Sequence, residues 1–146
     1  MPITVSQTKL GRAREALAFF TTMGWSKEQA AGLIANIEAE SQFDPRAVGG
    51  GGLAFGICQW HPGRQAVFHS EFGSAIKESD YAAQLRFVDF ELHHAERRAG
   101  DALRHAPNAR KAGEVVCTLY ERPNDPNGNE SFRRGMRAQD WLDLVG

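Results

Sequence analysis

Residues 26–45 leave the backbone little choice. Ser26-Lys27-Glu28-Gln29 is a capping box: the Ser26 hydroxyl accepts from the backbone at Gln29, whose side chain reaches back to the cap. Ala30, Leu33, Ile34 and Ile37 follow at helical spacing. Pro45 bars continuation, because the residue before a proline disfavours the helical region. The helix must therefore bury an apolar stripe, and that stripe runs into a carboxylate. Glu40 shares a face with Ile37 and Leu33, whereas Glu38 falls on another side and is read as solvated.

The remaining pattern is also mainly helical. A helix is predicted over residues 5–23, with Leu10, Leu17, Phe20 and Met23 on its apolar side. A long helix is predicted over 79–99, capped by Ser79, with the stripe Ala82, Leu85, Val88, Leu92 and Ala95. Two more are predicted over 109–120 and 131–144, the last contributing Phe132, Met136, Trp141 and Leu144 to the core. RPNDPNG, residues 122–128, is a loop by composition. Four consecutive glycines, 49–52, leave room for a small hairpin, and Pro62-Gly63 punctuates the chain after it. The expectation is one mainly α domain over residues 1–146, α+β at most.

Composition excludes several classes. The 146 residues carry a formal net charge of −1, with 17 basic side chains against 18 acidic ones, which gives no case for nucleic acid as a partner. The local pairs Arg97-Arg98 and Arg133-Arg134 are read as solvated helix faces. No apolar run is long enough to span a bilayer, so no stable membrane insertion is expected. MPITVSQTKLGR lacks the charged-then-apolar order of a secretory signal, so manufacture in a cytoplasm is expected. Cys58 and Cys117 are read as two free, buried thiols, and neither they nor the five histidines form a metal-ligand spacing. No metal or cofactor is expected.

Glu40 is the candidate for chemistry. Desolvation and the negative end of the helix dipole both disfavour an ionised carboxyl there, which would favour retention of a proton for donation to a leaving oxygen. The glycine run permits close substrate approach. Phe55, Gln59, Trp60 and His61 supply the aromatic faces and polar handles that carbohydrate needs. On the residues alone, Gln59 reads equally as a core amide, Ser41 as a helix-end hydroxyl bonding a carbonyl, and Tyr120 as a core aromatic.

Glu40-Ser41-Gln42-Phe43-Asp44-Pro45, the glycine loop, and Gly56-Ile57-Cys58-Gln59 together resemble the lytic transglycosylase and goose-type lysozyme superfamily. The run GWSKEQAAGLIANIEAESQFDP, then AFGICQWHPGR, QLRFVDFEL and YERP, more closely resembles the phage tail lysozyme group. The resemblance implies a lysozyme-like fold and cleavage of the β-1,4 bond between N-acetylmuramic acid and N-acetylglucosamine in bacterial peptidoglycan. It implies Glu40 as the catalytic acid/base, and Ser41, Gln59 and Tyr120 as residues near the substrate, to which Phe55 and Trp60 are added as sugar-binding candidates. The superfamily usually follows the tyrosine with asparagine, where this chain has Glu121. A monomer acting on the cell wall after release is expected.

Glycoside hydrolysis usually employs two carboxylates, about 5–5.5 Å apart in retaining enzymes and about 6.5–9.5 Å apart in inverting ones. Glu121 and Asp44 are the candidates for the second, although Asp44 reads equally as a turn residue and Glu121 as a partner for Arg122. Asp125 and Glu130 are read as solvated. Lytic transglycosylases use one acid, which first protonates the glycosidic oxygen and then deprotonates the muramic C6 hydroxyl to give a 1,6-anhydro product. A non-catalytic wall-binding virion component is the other alternative.

Overall fold

The computed structural model describes residues 5–146; residues 1–4, which open the segment read above for a secretory signal, lie outside the described residues. Seven α-helices occur among them: α1 (Gln7–Thr22), α2 (Lys27–Ser41), α3 (Pro62–Phe72), α4 (Tyr81–His93), α5 (Arg97–Arg104), α6 (Ala109–Val115) and α7 (Asn129–Val145). A π-helical segment, Val116–Glu121, continues α6. Two short antiparallel strands, β1 (Val48–Gly49) and β2 (Ala54–Phe55), pair Val48 with Phe55 and Gly49 with Ala54 across a turn at Gly50–Gly52. This is the mainly helical, lysozyme-like arrangement with one small hairpin that the sequence predicts. No helix among the described residues is long and apolar enough to cross a membrane.

The central helix is α2. Its capping box forms as expected, with Gln29 N donating to Ser26 Oγ at 3.1 Å and Ser26 N donating to Gln29 Oε1 at 2.8 Å. Every residue from Ala30 to Glu38 is buried, so the helix is enclosed on all sides rather than along one stripe. The reading of Glu38 as solvated is therefore corrected. Its carboxylate accepts from Arg137 at 2.7 and 3.0 Å and from the Trp141 indole at 3.0 Å. Burial pushes its pKa up, but the hydrogen bonds from Arg137 and Trp141 and the charges of Arg137 and Lys9 outweigh burial, and the net shift is downward.

Helices α2, α6 and α7 approach closely because glycines face the contacts. A Cβ on Gly32 would lie 2.6 Å from the Ala112 carbonyl carbon, and one on Gly113 would lie 2.6 Å from the Arg134 carbonyl oxygen. With small residues at these crossings, the large apolar residues of α7 expected in the core are partly left outside. Phe132 and Met136 are 55% and 45% exposed, whereas Trp141 is fully buried. Met23 is likewise exposed, beyond the end of α1.

Three other expectations change. The helix predicted over 79–99 is two helices, capped by Asp80, whose Oδ1 accepts from Ala83 N at 2.8 Å. It breaks at His93 and His94, whose imidazoles contact the carbonyls of Asp89 and Phe90, and Ala95 is exposed in the turn. Pro62 starts a helix instead of merely punctuating: proline at the first helical position and left-handed Gly73 at the end bound α3. Only Phe68 of α3 is fully buried, so the helix shows no apolar stripe.

Gly32→Ala should lower stability by about 1–3 kcal/mol, because the new methyl meets backbone. Gly11→Ala, in an exposed and open position of α1, should instead raise it by about 0.5–1 kcal/mol. Thermal melts of the two variants check the contrast, and a harmless Gly32→Ala would refute the close-crossing account.

Candidate active site

Glu40 stands in the last turn of α2, 18% exposed, on the wall of an open cleft of about 330 Å³. Gln59, His61, Arg64, Glu121 and Arg122 line the same cleft. Of the sequence candidates, the fold thus brings Glu40, Gln59, His61 and Glu121 together. Asp44 is exposed in the turn before Pro45, where its Oδ1 accepts from Arg46 N at 2.8 Å, and it does not line the cleft.

The other candidates lie behind the cleft wall. Ser41 is buried, and its hydroxyl donates to the carbonyls of Ile37 and Ile57, tying the end of α2 to the loop that carries Gln59. Phe55 and Trp60 are buried and form a backbone bridge with each other. Tyr120 is buried, with its hydroxyl donating to Glu91 Oε1 at 2.6 Å. None of these four lines the cleft.

Backbone geometry changes abruptly beside both acids. Among the described residues, the non-glycine residues with positive φ are Gln42, Phe43, Gln59 and Arg122. Gln42 and Phe43 follow Glu40-Ser41, and Arg122 follows Glu121 at the end of the π-helical segment. Such conformations cost about 1–3 kcal/mol each and persist where surrounding contacts over-determine them. The π-helical hydrogen bond, from Arg122 N to Cys117 O at 2.8 Å, inserts a residue into the helical turn and alters where Tyr120 and Glu121 point.

The two acids have different surroundings. Arg134 Nη1 lies 2.9 Å from Glu40 Oε2. The same guanidinium donates to Asn36 Oδ1 at 3.0 Å and to Glu130 Oε2 at 2.9 Å, and it is almost fully buried. The reading of Arg133-Arg134 as a solvated pair is therefore corrected for Arg134. It is an opposite charge beside Glu40 that the sequence argument from burial and dipole did not include. Glu130 is drawn into this network, and Asp125 caps α7 by accepting from the backbone of Glu130 and Ser131 at 2.9 Å.

Glu121 keeps part of its surface outside, but its Oε2 is buried and has no hydrogen-bond partner among the described residues. Burial, then the negative charge of Glu40, push its pKa well above the usual carboxylate range, against the nearby Arg64 and Arg134 and the Cys58 thiol. Both cysteines are free and buried.

Sequence reasoning missed the groups that hold the loop in place. Gln84, fully buried, accepts from Ile57 N at 2.9 Å and donates to Pro45 O at 3.0 Å. Glu91 accepts from Trp60 Nε1 at 2.8 Å, from the Tyr120 hydroxyl, and twice from Arg64. Both lie within QLRFVDFEL, two helical turns apart on the face that also carries Val88. Polar residues recurring on an apolar face were the available signal.

A raised folded-state pKa means that the stability contributed by Glu121 is fully present below its unfolded pKa and is lost as pH rises through the folded one. Glu121→Gln should therefore raise the melting temperature at neutral and alkaline pH and leave it nearly unchanged at about pH 4. Calorimetry at both pH values checks this. An equal gain at both would show that the carboxyl carries no ionisation cost.

The phage tail lysozyme family model matches residues 11–145. The chain is 24% identical over 142 residues to morphogenesis protein 1 of Bacillus phage B103, an alignment covering 89% of this chain and 38% of that protein. The chain thus spans well under half the length of this relative. With nearly its whole length matched, the chain belongs to the phage tail lysozyme family.

Proposed function

We propose that this domain hydrolyses the glycan strands of bacterial peptidoglycan at the β-1,4 bond between N-acetylmuramic acid and N-acetylglucosamine, with Glu40 as general acid/base and Glu121 as the second carboxylate. One observation carries this reading. A single cleft holds a partly exposed carboxylate, Glu40, and a second, Glu121, whose buried Oε2 has no hydrogen-bond partner among the described residues.

Two carboxyls whose surroundings differ this much divide the work of an acid and a base. Burial, then the negative charge of Glu40, disfavour the ionised form of Glu121. Glu40 pairs with Arg134 and is the member a sugar reaches. Glu40 in its protonated form gives its proton to the glycosidic oxygen as the C–O bond to the anomeric carbon breaks, and the carboxylate left on Glu40 stabilises the oxocarbenium-like transition state. Water oriented by Glu121 then attacks the anomeric carbon, and its proton returns to Glu40.

Gln59 serves as a fixed acceptor. Its Nε2 donates to the carbonyls of Ala47 and Gly56, both at 3.0 Å, which orients the amide and leaves Oε1 for a substrate N–H or hydroxyl. Ser41, Phe55, Trp60 and Tyr120 act by holding the cleft wall in place. No step requires a metal or an organic cofactor.

The name of the Bacillus phage relative, a morphogenesis protein of greater length, favours a setting for this chemistry within a phage structural protein that meets the cell wall. Release as a free lytic enzyme is the alternative setting, and a wall-binding part without catalysis is the alternative function.

Glu40→Gln separates catalysis from binding. Clearing of purified cell walls should fall by about 10²–10⁴-fold with wall binding retained. Unchanged clearing would remove Glu40 from the mechanism, and a wild-type domain that binds walls without clearing them would leave only the wall-binding reading.

A further inference from the structure

Arg64 lines the cleft but has no part in the acid/base chemistry. Its guanidinium lies edge-on to the buried Glu91, with Nε 2.8 Å from Oε2 and Nη2 2.7 Å from Oε1. The Tyr120 ring backs it, with the guanidinium carbon 4.7 Å from the ring centroid. One edge of the fork is thereby spent and one face is covered.

Nη1 makes no hydrogen bond or ion pair with another described residue. It is not sealed in the core either, because the buried side-chain polar atom without a partner among the described residues is Glu121 Oε2. The side chain is only 24% exposed, and Arg64 is among the residues that line the cleft holding Glu40 and Glu121. A cation fixed in this way needs no further ordering to bind, and a partly desolvated guanidinium favours a carboxylate or carbonyl oxygen over a hydroxyl.

Glu91 alone does not account for this position. A cation buried only to neutralise Glu91 has no need to open on a catalytic cleft. The glycan strand supplies a fitting partner. N-acetylglucosamine and N-acetylmuramic acid share hydroxyls and an acetamido group, and the muramyl sugar adds a 3-O-lactyl arm ending in a carboxyl group. That carboxyl is free in a bare glycan and an amide carbonyl where a peptide stem is attached.

We propose that Arg64 recognises the lactyl carboxyl-derived oxygen of the muramyl sugar and gives the cleft its preference for muramyl strands over chitin-type strands. Arg64 is thus a specificity residue, and this inference rests on the glycan-cleaving reading of the cleft. The oxygen accepts from Nη1 while Glu91 holds the opposite edge, so the arm is read without any movement of the guanidinium. A free carboxylate makes a charge-assisted bond there, and an amide carbonyl makes a weaker one.

Calorimetric titration of the Glu40→Gln protein with a bare N-acetylglucosamine–N-acetylmuramic acid tetrasaccharide, its peptide-bearing form and chitotetraose tests this. The muramyl sugars should bind about 10–100-fold more tightly than chitotetraose, the bare form more so than the peptide-bearing one and with the stronger dependence on salt. Adding Arg64→Gln should erase that preference, by weakening the muramyl sugars and not chitotetraose. Arg64→Lys keeps a charge for Glu91 but cannot span both edges, so it should reduce the preference while retaining the fold; it serves as the decisive variant if Arg64→Gln does not fold. An unchanged preference, or equal loss for all three sugars, would overturn this inference and leave the glycan-cleaving reading intact. Failure of the Glu40→Gln protein to bind any of the sugars would overturn both.

Discussion

The carboxylate of Glu91 accepts hydrogen bonds from three parts of the chain that are distant in sequence: the indole of Trp60 after the hairpin, the guanidinium of Arg64 on α3, and the hydroxyl of Tyr120 in the π-helical segment. Burying a carboxylate is costly unless opposite charge and hydrogen bonds compensate. Here four donor contacts from three residues do so, and that requirement locks the three elements together. Gln84, two turns earlier on α4, performs the neutral version of the task by bonding Ile57 N and Pro45 O. Helix α4 is therefore the support on which the loop carrying Gln59 rests, although it contributes no side chain to the cleft lining.

The two acids come from places where regular helix geometry ends. Glu40 precedes a pair of left-handed residues, and Glu121 closes a π-helical segment with left-handed Arg122 after it. The chain tolerates this strain because Ser41 is tied to Ile57 and Tyr120 is tied to Glu91. The unpartnered Oε2 of Glu121 is a further cost to folding, which a core optimised for stability alone would not retain. Strain and an unsatisfied carboxyl at one cleft are features of a site shaped for chemistry.

Much of this was legible in the sequence. The capping box, the helix that follows it and the hairpin at the glycine run all form where local signals place them, because those signals act within a few residues. Glu40 was legible as a carboxylate in the last turn of the central helix, but its partner Arg134 was not. Arg134 lies 94 positions further on, in a helix whose charge pattern looks solvated, and only the close approach of α2, α6 and α7 through Gly32 and Gly113 encloses it. Glu38 was misread for the same reason: a stripe argument assumes one buried face, and α2 is buried all round. Helix α3 escaped notice because a helix with a single fully buried residue carries no period, though its proline start and glycine stop were visible.

The reaction proposed for the cleft that holds Glu40 and Glu121 is the cutting of glycan strands with water as the acceptor. Mass spectrometry of the soluble products released from purified peptidoglycan tests it most directly. Hydrolysis should give muropeptides with reducing N-acetylmuramic acid ends. Products ending in 1,6-anhydro-muramic acid would contradict the role given to Glu121 and to water, and release of no saccharide fragments would contradict the proposed reaction itself.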